Sequence, residues 1–315
     1  MSSYPGGRRN EGGHFPAARL WAFPMARSPS PGTLGLMVRA EVEVARPIVH
    51  TKNGLRSGPA DWVARVRRSV AESAHEGGFT REALLVTLAI VAYFAIRNAT
   101  VGGADQATAN AGRVVRLEDW LGIAWEQRVQ NLIVDHDVLV MLANWVYIWG
   151  HWPVILGTAT VLFVHRRDRY YVLRNALFAS GAIGFLFFAF FPVAPPRLVD
   201  TALMDTVTNE SSAYRALQPP GLTNQYAAFP SLHLGWNVVV GIVLILVATH
   251  VAVRVFAVVG PLAMSLAVVA TANHFVLDVV GGLVVVAIGL GAAFALSRRS
   301  ATATLERREC GLDDG

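Results

Sequence analysis

Lysine is almost missing from this chain, Lys52 being the only one, and cysteine is limited to Cys310 near the C-terminus. A single cysteine excludes an intramolecular disulfide framework, a cysteine zinc cage and a CxxC redox site. Charge is scarce as well: 16% of the 315 residues are charged and 53% are hydrophobic, with a mean hydropathy of +0.42. A soluble domain has about a quarter of its residues charged, so this composition argues against a soluble protein. The net charge is +5, but the basic residues are nearly all arginines at the ends of apolar runs. They flank membrane segments rather than form a nucleic-acid-binding face. The chemistry therefore has to come from His, Asp, Arg and Ser.

Residues 1–60 carry Gly, Pro, Ser and scattered Arg without a sustained apolar period, which reads as a disordered tail. No apolar stretch with a small-residue cleavage site precedes the rest, so no processing is expected there, and Met37 is an alternative start. Residues 61–82 read as a cytoplasmic juxtamembrane segment, 83–297 as the membrane domain and 298–315 as a cytoplasmic tail. Crossing a hydrocarbon core takes roughly 20 apolar residues. Six runs qualify: 83–102, 138–164, 175–196, 232–253, 255–273 and 279–297. Barrel strands would be about half as long and alternating. The expected fold is therefore all-α, a polytopic bundle of six transmembrane helices.

With the N-terminus cytoplasmic, the inner segments hold Arg65, Arg67, Arg68, Arg81, Arg166, Arg167, Arg169, Arg174, Arg254, Arg298, Arg299, Arg307 and Arg308. The outer ones hold only Arg113, Arg116, Arg128, Arg197 and Arg215. This asymmetry favours both termini inside.

Two polar clusters stand at the margins of apolar runs. One is Phe229-Pro230-Ser231-Leu232-His233 and the other runs from Asn273-His274 to Asp278. His233 and His274 are two crossings apart, so both imidazoles return to one membrane face. The third span ends there at Pro195-Pro196-Arg197, and the first ends there with Arg97. If helix geometry continues through Asp278, its carboxylate lies beside His274 at i, i+4. It would then fix the ring tautomer and leave the other nitrogen free as base or nucleophile. Phosphoryl transfer needs an in-line nucleophile, an acid for the leaving oxygen and positive charge on the equatorial oxygens.

Other readings compete at single residues. Ser231 is either a phosphate ligand or the N-cap of the fourth span. Arg197 is either a phosphate ligand or an interfacial anchor, and Arg97 either a ligand or a snorkelling side chain. Asn144, Tyr147 and His151 share one face of the second span. His151 is about 20 Å of rise along it, too deep for an outer-level site, which favours interhelical packing. His165 and His250 read as interfacial, and Gly281 and Gly282 as small residues that let helices approach. Asp200, Asp205 and Glu210 read as solvated charge in a 200–228 loop that covers the site. Residues 104–131 read as an amphipathic interfacial helix on Val115, Leu117, Trp120, Leu121 and Ile123, with Trp120 and Trp125 at headgroup level and Arg113 and Arg116 near anionic lipid.

FPSLH around His233, NHFVLD from Asn273 to Asp278 and PPR at Arg197 resemble the motifs of the type 2 phosphatidic acid phosphatase superfamily. They are most similar to its branch containing inositol phosphorylceramide synthase, over roughly residues 80–297. The resemblance implies that His274 is the nucleophile forming a phosphohistidine, that Asp278 orients it and that His233 protonates the leaving alkoxide. Ser231 and Arg197 would hold phosphate oxygens. Three departures point to the transferase-like branch. Leu232 stands where the phosphatases usually have glycine, no arginine occurs in Ala270-Thr271-Ala272-Asn273, and the lysine-led first motif is absent. Arg97, with Tyr93 a turn before it, is the candidate to complete the phosphate clamp.

The resulting expectation is a membrane phosphotransferase that moves a head group, inositol phosphate, from a phospholipid donor to a lipid hydroxyl. It would need no metal and no cofactor, bind no nucleic acid, and work at the outer face of the plasma membrane. A lipid phosphatase, with water as acceptor, is the alternative enzyme. A transporter or scaffold that keeps the His–Asp pair as a proton relay is the non-enzymatic one.

Overall fold

Proline lacks an N–H and its ring clashes with the carbonyl four residues back, so Pro153 disfavours a straight helix through the second run. The expected 138–164 span is accordingly broken in the computed structural model, which describes residues 78–99, 103–210 and 225–309. Its two pieces are bent by 43° at Gly150-His151, and Pro153 falls in the first turn of the second, where proline is tolerated.

The helices in chain order are α1 (Gly78–Ala99), α2 (Ala104–Leu121), α3 (Glu126–Asn131), α4 (Asp137–Trp149), α5 (Trp152–His165), α6 (Arg167–Phe190), α7 (Pro196–Val199), α8 (Thr206–Glu210), α9 (Leu232–Val247), α10 (Val251–Ala270) and α11 (Val276–Glu309). Among the described residues there is no strand, only an isolated bridge between Val193 and Ala227.

Among the described residues three helices are long and apolar enough to cross a membrane: α6, α10 and α11 as far as Arg298. The bent α4–α5 pair makes up to four. Helix α9 is apolar but has 16 residues, and α1 has 22 without joining that set. Several boundaries differ from those the sequence suggested. The basic run at 165–169 does not form a loop: only Arg166 separates α5 from α6. The fourth and fifth runs divide at Ala248–His250 rather than at Arg254, whose Nε donates to Ala248 O at 3.0 Å.

An apolar cluster of Ile155, Leu162, Leu173, Val239, Val243, Val286 and Leu290 ties α5, α6, α9 and α11 together. Close approach of α9 and α10 depends on Gly241, since a Cβ there would stand 2.3 Å from Ala257 O. That carbonyl has lost its helical donor because the residue four positions on is Pro261. Helix α1 is tied to α6 through Glu82, which accepts from Arg174 Nη1 and from the Tyr170 hydroxyl at 3.2 Å. Large apolar side chains such as Phe190 (78%), Leu262 (60%) and Leu266 (64%) point outward. With the backbone of a span paired almost throughout inside its own helix, such a surface suits lipid, and the chain is a multi-pass membrane protein.

Residues 104–131 form α2 and α3, separated by a turn at Gly122 (φ 69°). The buried stripe of α2 is Ala107, Asn110, Ala111, Val114 and Glu118, while Leu117, Trp120 and Leu121 are exposed. The small-residue stripe packs on Val193, Ala194, Ala228 and Phe275. Asn110 Nδ2 donates to Pro192 O at 2.8 Å and Ala194 N to Ala107 O at 3.2 Å. Two tied helices thus stand where a single interfacial one was expected.

Candidate active site

After α10 the chain reverses through Ala272 (φ 54°), and Asn273 N and His274 N both donate to Val268 O, at 3.1 and 3.0 Å. His274 therefore sits on a turn, two residues ahead of α11, and the expected helix from His274 through Asp278 is not formed. The two side chains still meet because Asp278, third in α11, folds back. Its Oδ2 accepts from Phe275 N at 2.8 Å and lies 3.4 Å from His274 Nδ1. A shorter contact joins His274 Nδ1 to Ala228 O at 2.8 Å. A carbonyl oxygen can only accept, so Nδ1 carries the proton and Nε2 presents a lone pair. Asp278 Oδ1 is buried without a hydrogen-bond partner among the described residues.

The second motif is tied to the same helix. Ser231 N donates to Asp278 O at 2.9 Å, and a Cβ on Gly282 would stand 2.4 Å from Ser231 O. Gly281 and Gly282 therefore permit the close approach expected of them. Ser231 occupies the N-cap position of α9 but makes no capping bond, and its hydroxyl is buried and unpartnered among the described residues.

His233, one residue into α9, has its ring centroid 6.0 Å from that of His274. It stacks on Tyr147 at 4.6 Å and on His151 at 4.2 Å. This overturns the reading of His151 as too deep to reach the site. That depth assumed one straight helix, whereas the break at 150–151 brings the ring against His233. Asn237 links the pair, donating to His233 O at 2.9 Å and lying 3.5 Å from His151 Nδ1. Asn144 does serve packing: its amide bonds the backbone and hydroxyl of Thr206 in α8, at 3.1 and 3.0 Å.

Arg197, in α7, is held beside the His274 turn. Its backbone N donates to Ala272 O at 3.1 Å, Nη1 to Asn273 Oδ1 at 2.6 Å, and Nε pairs with Asp205 Oδ2 at 3.1 Å. With its side chain 10% exposed, it does not extend outward as an interfacial anchor. Asp205 is consequently an ion-pair partner rather than solvated charge, and its Oδ1 also accepts from Thr208 N at 2.9 Å. Asp200 Oδ1 accepts from Ala202 N at 2.9 Å. The side chains of Tyr93, Arg97 and Glu210, and residues 211–224 with Pro219-Pro220-Gly221, lie outside the described residues.

Two acids that sequence reasoning passed over complete the surroundings. Glu118 Oε1 accepts from Leu277 N at 2.6 Å and Glu126 Oε1 from Val276 N at 2.8 Å. Burial pushes the Glu118 carboxyl up to about 8; the Leu277 N–H opposes the rise, while Glu126 and Asp278 add to it. The signal was the small-residue stripe of α2 running straight into Glu118, which marks that acid as inward-facing.

A family model described as the PAP2 superfamily matches residues 112–292, more than half of the chain, and includes His233, His274, Asp278, Arg197 and Ser231. No curated protein and no solved structure matches the chain.

Proposed function

The chain belongs to the PAP2 superfamily, a phosphatase or phosphotransferase of the type 2 phosphatidic acid phosphatase kind acting on lipids, and from that premise we propose that it moves a phosphoryl head group through a phosphohistidine on His274. The non-enzymatic reading falls away with that membership. The observation carrying the proposal is the His274 ring: Nδ1–H bonded to Ala228 O with Asp278 Oδ2 at 3.4 Å, and Nε2 left as the electron-pair donor.

In the proposed first half-reaction Nε2 attacks phosphorus, the P–O bond to the leaving lipid alkoxide breaks, and His233 gives that oxygen a proton. Asp278 balances the positive charge that develops on His274. Arg197 and the unpartnered Ser231 hydroxyl hold equatorial oxygens, with Arg97 as the candidate to complete the clamp. In the second half-reaction His233 takes the proton of the acceptor hydroxyl, whose oxygen displaces His274 from phosphorus. General acid–base steps of this kind contribute about 10²–10⁴-fold each.

Inositol phosphate is the proposed group, a phosphatidylinositol-like lipid the donor and a lipid hydroxyl the acceptor. The proposed setting is a six-span bundle in the plasma membrane, with cytoplasmic termini and the site facing the extracytoplasmic side. In support, α6 ends, α9 begins, α10 ends and α11 begins around one group of side chains, while arginines mark their other ends.

The test incubates purified protein and H274A with phosphatidylinositol or phosphatidic acid, with and without diacylglycerol or ceramide, and reads products by mass spectrometry. A new inositol-phosphate lipid that needs both acceptor and His274 is expected. Free phosphate from phosphatidic acid would make the protein a phosphatase instead. Turnover that persists in H274A would overturn the phosphohistidine.

A further inference from the structure

Two buried acids that the transfer scheme does not use lie directly behind its nucleophile. The first amides of a helix have no intrahelical partner, and at the start of α11 three successive ones meet three carboxyl groups. Phe275 N donates to Asp278 Oδ2, Val276 N to Glu126 Oε1 and Leu277 N to Glu118 Oε1, at 2.8, 2.8 and 2.6 Å. Two of the acceptors reach in from α2 and α3, far away in sequence. Glu118 is 1% and Glu126 7% exposed, and among the described residues neither is ion-paired. Because they accept from adjacent amides, the two carboxyl groups share one buried space, where each raises the cost of charge on the other, and a proton on one of them lets it donate to its neighbour.

We propose that Glu118 and Glu126 act as one positioning unit, a carboxyl pair holding a single proton that clamps the first turn of α11 and so keeps Asp278 against His274 Nδ1. The inference rests on the phosphohistidine reading above.

A helix N-terminus favours one negative charge, but a second in the same buried space meets repulsion. The charged groups acting on Glu118 are Glu126 from α3 and Asp278 from α11, both acidic, and its other neighbour is the Leu277 N–H. With the Glu118 carboxyl pushed up to about 8 by burial, the proton stays in place at neutral pH. The Glu118 hydroxyl then donates to Glu126 while its carbonyl oxygen accepts from Leu277. Because the folded state holds this proton more tightly than the unfolded chain, the stabilisation is complete below the ordinary glutamate range. It is lost as pH rises through about 8. Gln at 118 mimics the protonated acid, with an oxygen to accept and an NH₂ to donate, and cannot ionise.

The experiment compares full-length wild type, E118Q, E118A and H274A in lipid vesicles across pH 6 to 9.5. It measures kcat and KM on phosphatidylinositol and phosphatidic acid, and thermal unfolding. E118A is expected to lose kcat by about 10²-fold with KM little changed, the scale of a displaced catalytic group. Wild type is expected to lose both kcat and unfolding midpoint at alkaline pH, and E118Q to keep near-neutral kcat without that alkaline fall. A folded E118A with full kcat overturns the proposal, and so does an E118Q alkaline limb identical to wild type. If E118A does not fold, E118Q decides. If wild type turns over neither lipid, the substrate reading fails by itself, and the pair is judged on unfolding: a midpoint that falls with pH in wild type and stays flat in E118Q supports it, and equal slopes overturn it.

Discussion

His274 Nδ1 has two oxygens near it, and the nearer one, Ala228 O at 2.8 Å, is neutral. The carbonyl fixes the tautomer, which leaves Asp278 chiefly the task of meeting charge on the ring. Asp278→Asn separates these roles, because an Asn oxygen still accepts from Phe275 N and preserves the turn. The fold and thermal midpoint are expected to hold while kcat falls on the order of 10²–10⁴-fold, as when a neutral amide replaces the carboxylate behind a catalytic histidine. Unchanged kcat would mean that Ala228 O alone suffices. At this scale the sequence exposes His233, His274, Asp278 and Ser231 because polar residues at the margins of apolar runs stand out. It hides Glu118 and Glu126 because an acid in a polar segment looks solvated until the opposite face of its helix is seen to be buried. Asp205 misleads in the same way: its partner Arg197 is close in sequence, but only the turn through α7 joins them.

Among the elements, the long apolar runs give helices with modest errors of length, since hydrophobicity marks a span but not its caps. Two of the errors fall where backbone chemistry overrides apolarity, at Pro153 in the second run and at the Ala248–His250 turn, and a third at the basic run, which α6 takes in from Arg167. Site geometry depends on how closely α11 approaches the segment before α9, and there a single atom decides. A Cβ on Gly282 would lie 2.4 Å from Ser231 O, whereas one on Gly291 in the same helix meets nothing within 4 Å. Gly282→Ala is therefore expected to push the Ser231–His233 motif away from Asp278, costing about 1–3 kcal/mol of stability as overpacking does and most of the turnover. Gly291→Ala is expected to leave both intact. Thermal unfolding and a phospholipid assay on the two variants check this, and equal behaviour would mean that the helices slide apart without affecting the site.

For the whole molecule, helix lengths and arginine placement support one orientation. Helices α6 and α10, of 24 and 20 residues, rise about 36 and 30 Å, enough for a hydrocarbon core of about 30 Å. Helix α9, with 16, rises only about 24 Å, short of that thickness, from a near end beside the His274 turn to a far end at Val247. The far ends carry Arg166, Arg167, Arg169, Arg254 and Arg298, the inner-face pattern. Single cysteines in a Cys310→Ser background test it. Thr201→Cys is expected to react with a membrane-impermeant maleimide on intact cells. Asp168→Cys, before most of α6, and Thr249→Cys, in the α9–α10 turn, are expected to react only after permeabilisation. The opposite pattern would invert the protein and place His274 on the cytoplasmic face, where its donor lipids would have to come from the inner leaflet. Labelling of Thr201→Cys and Thr249→Cys from the same side would remove α9 as a crossing and lower the span count.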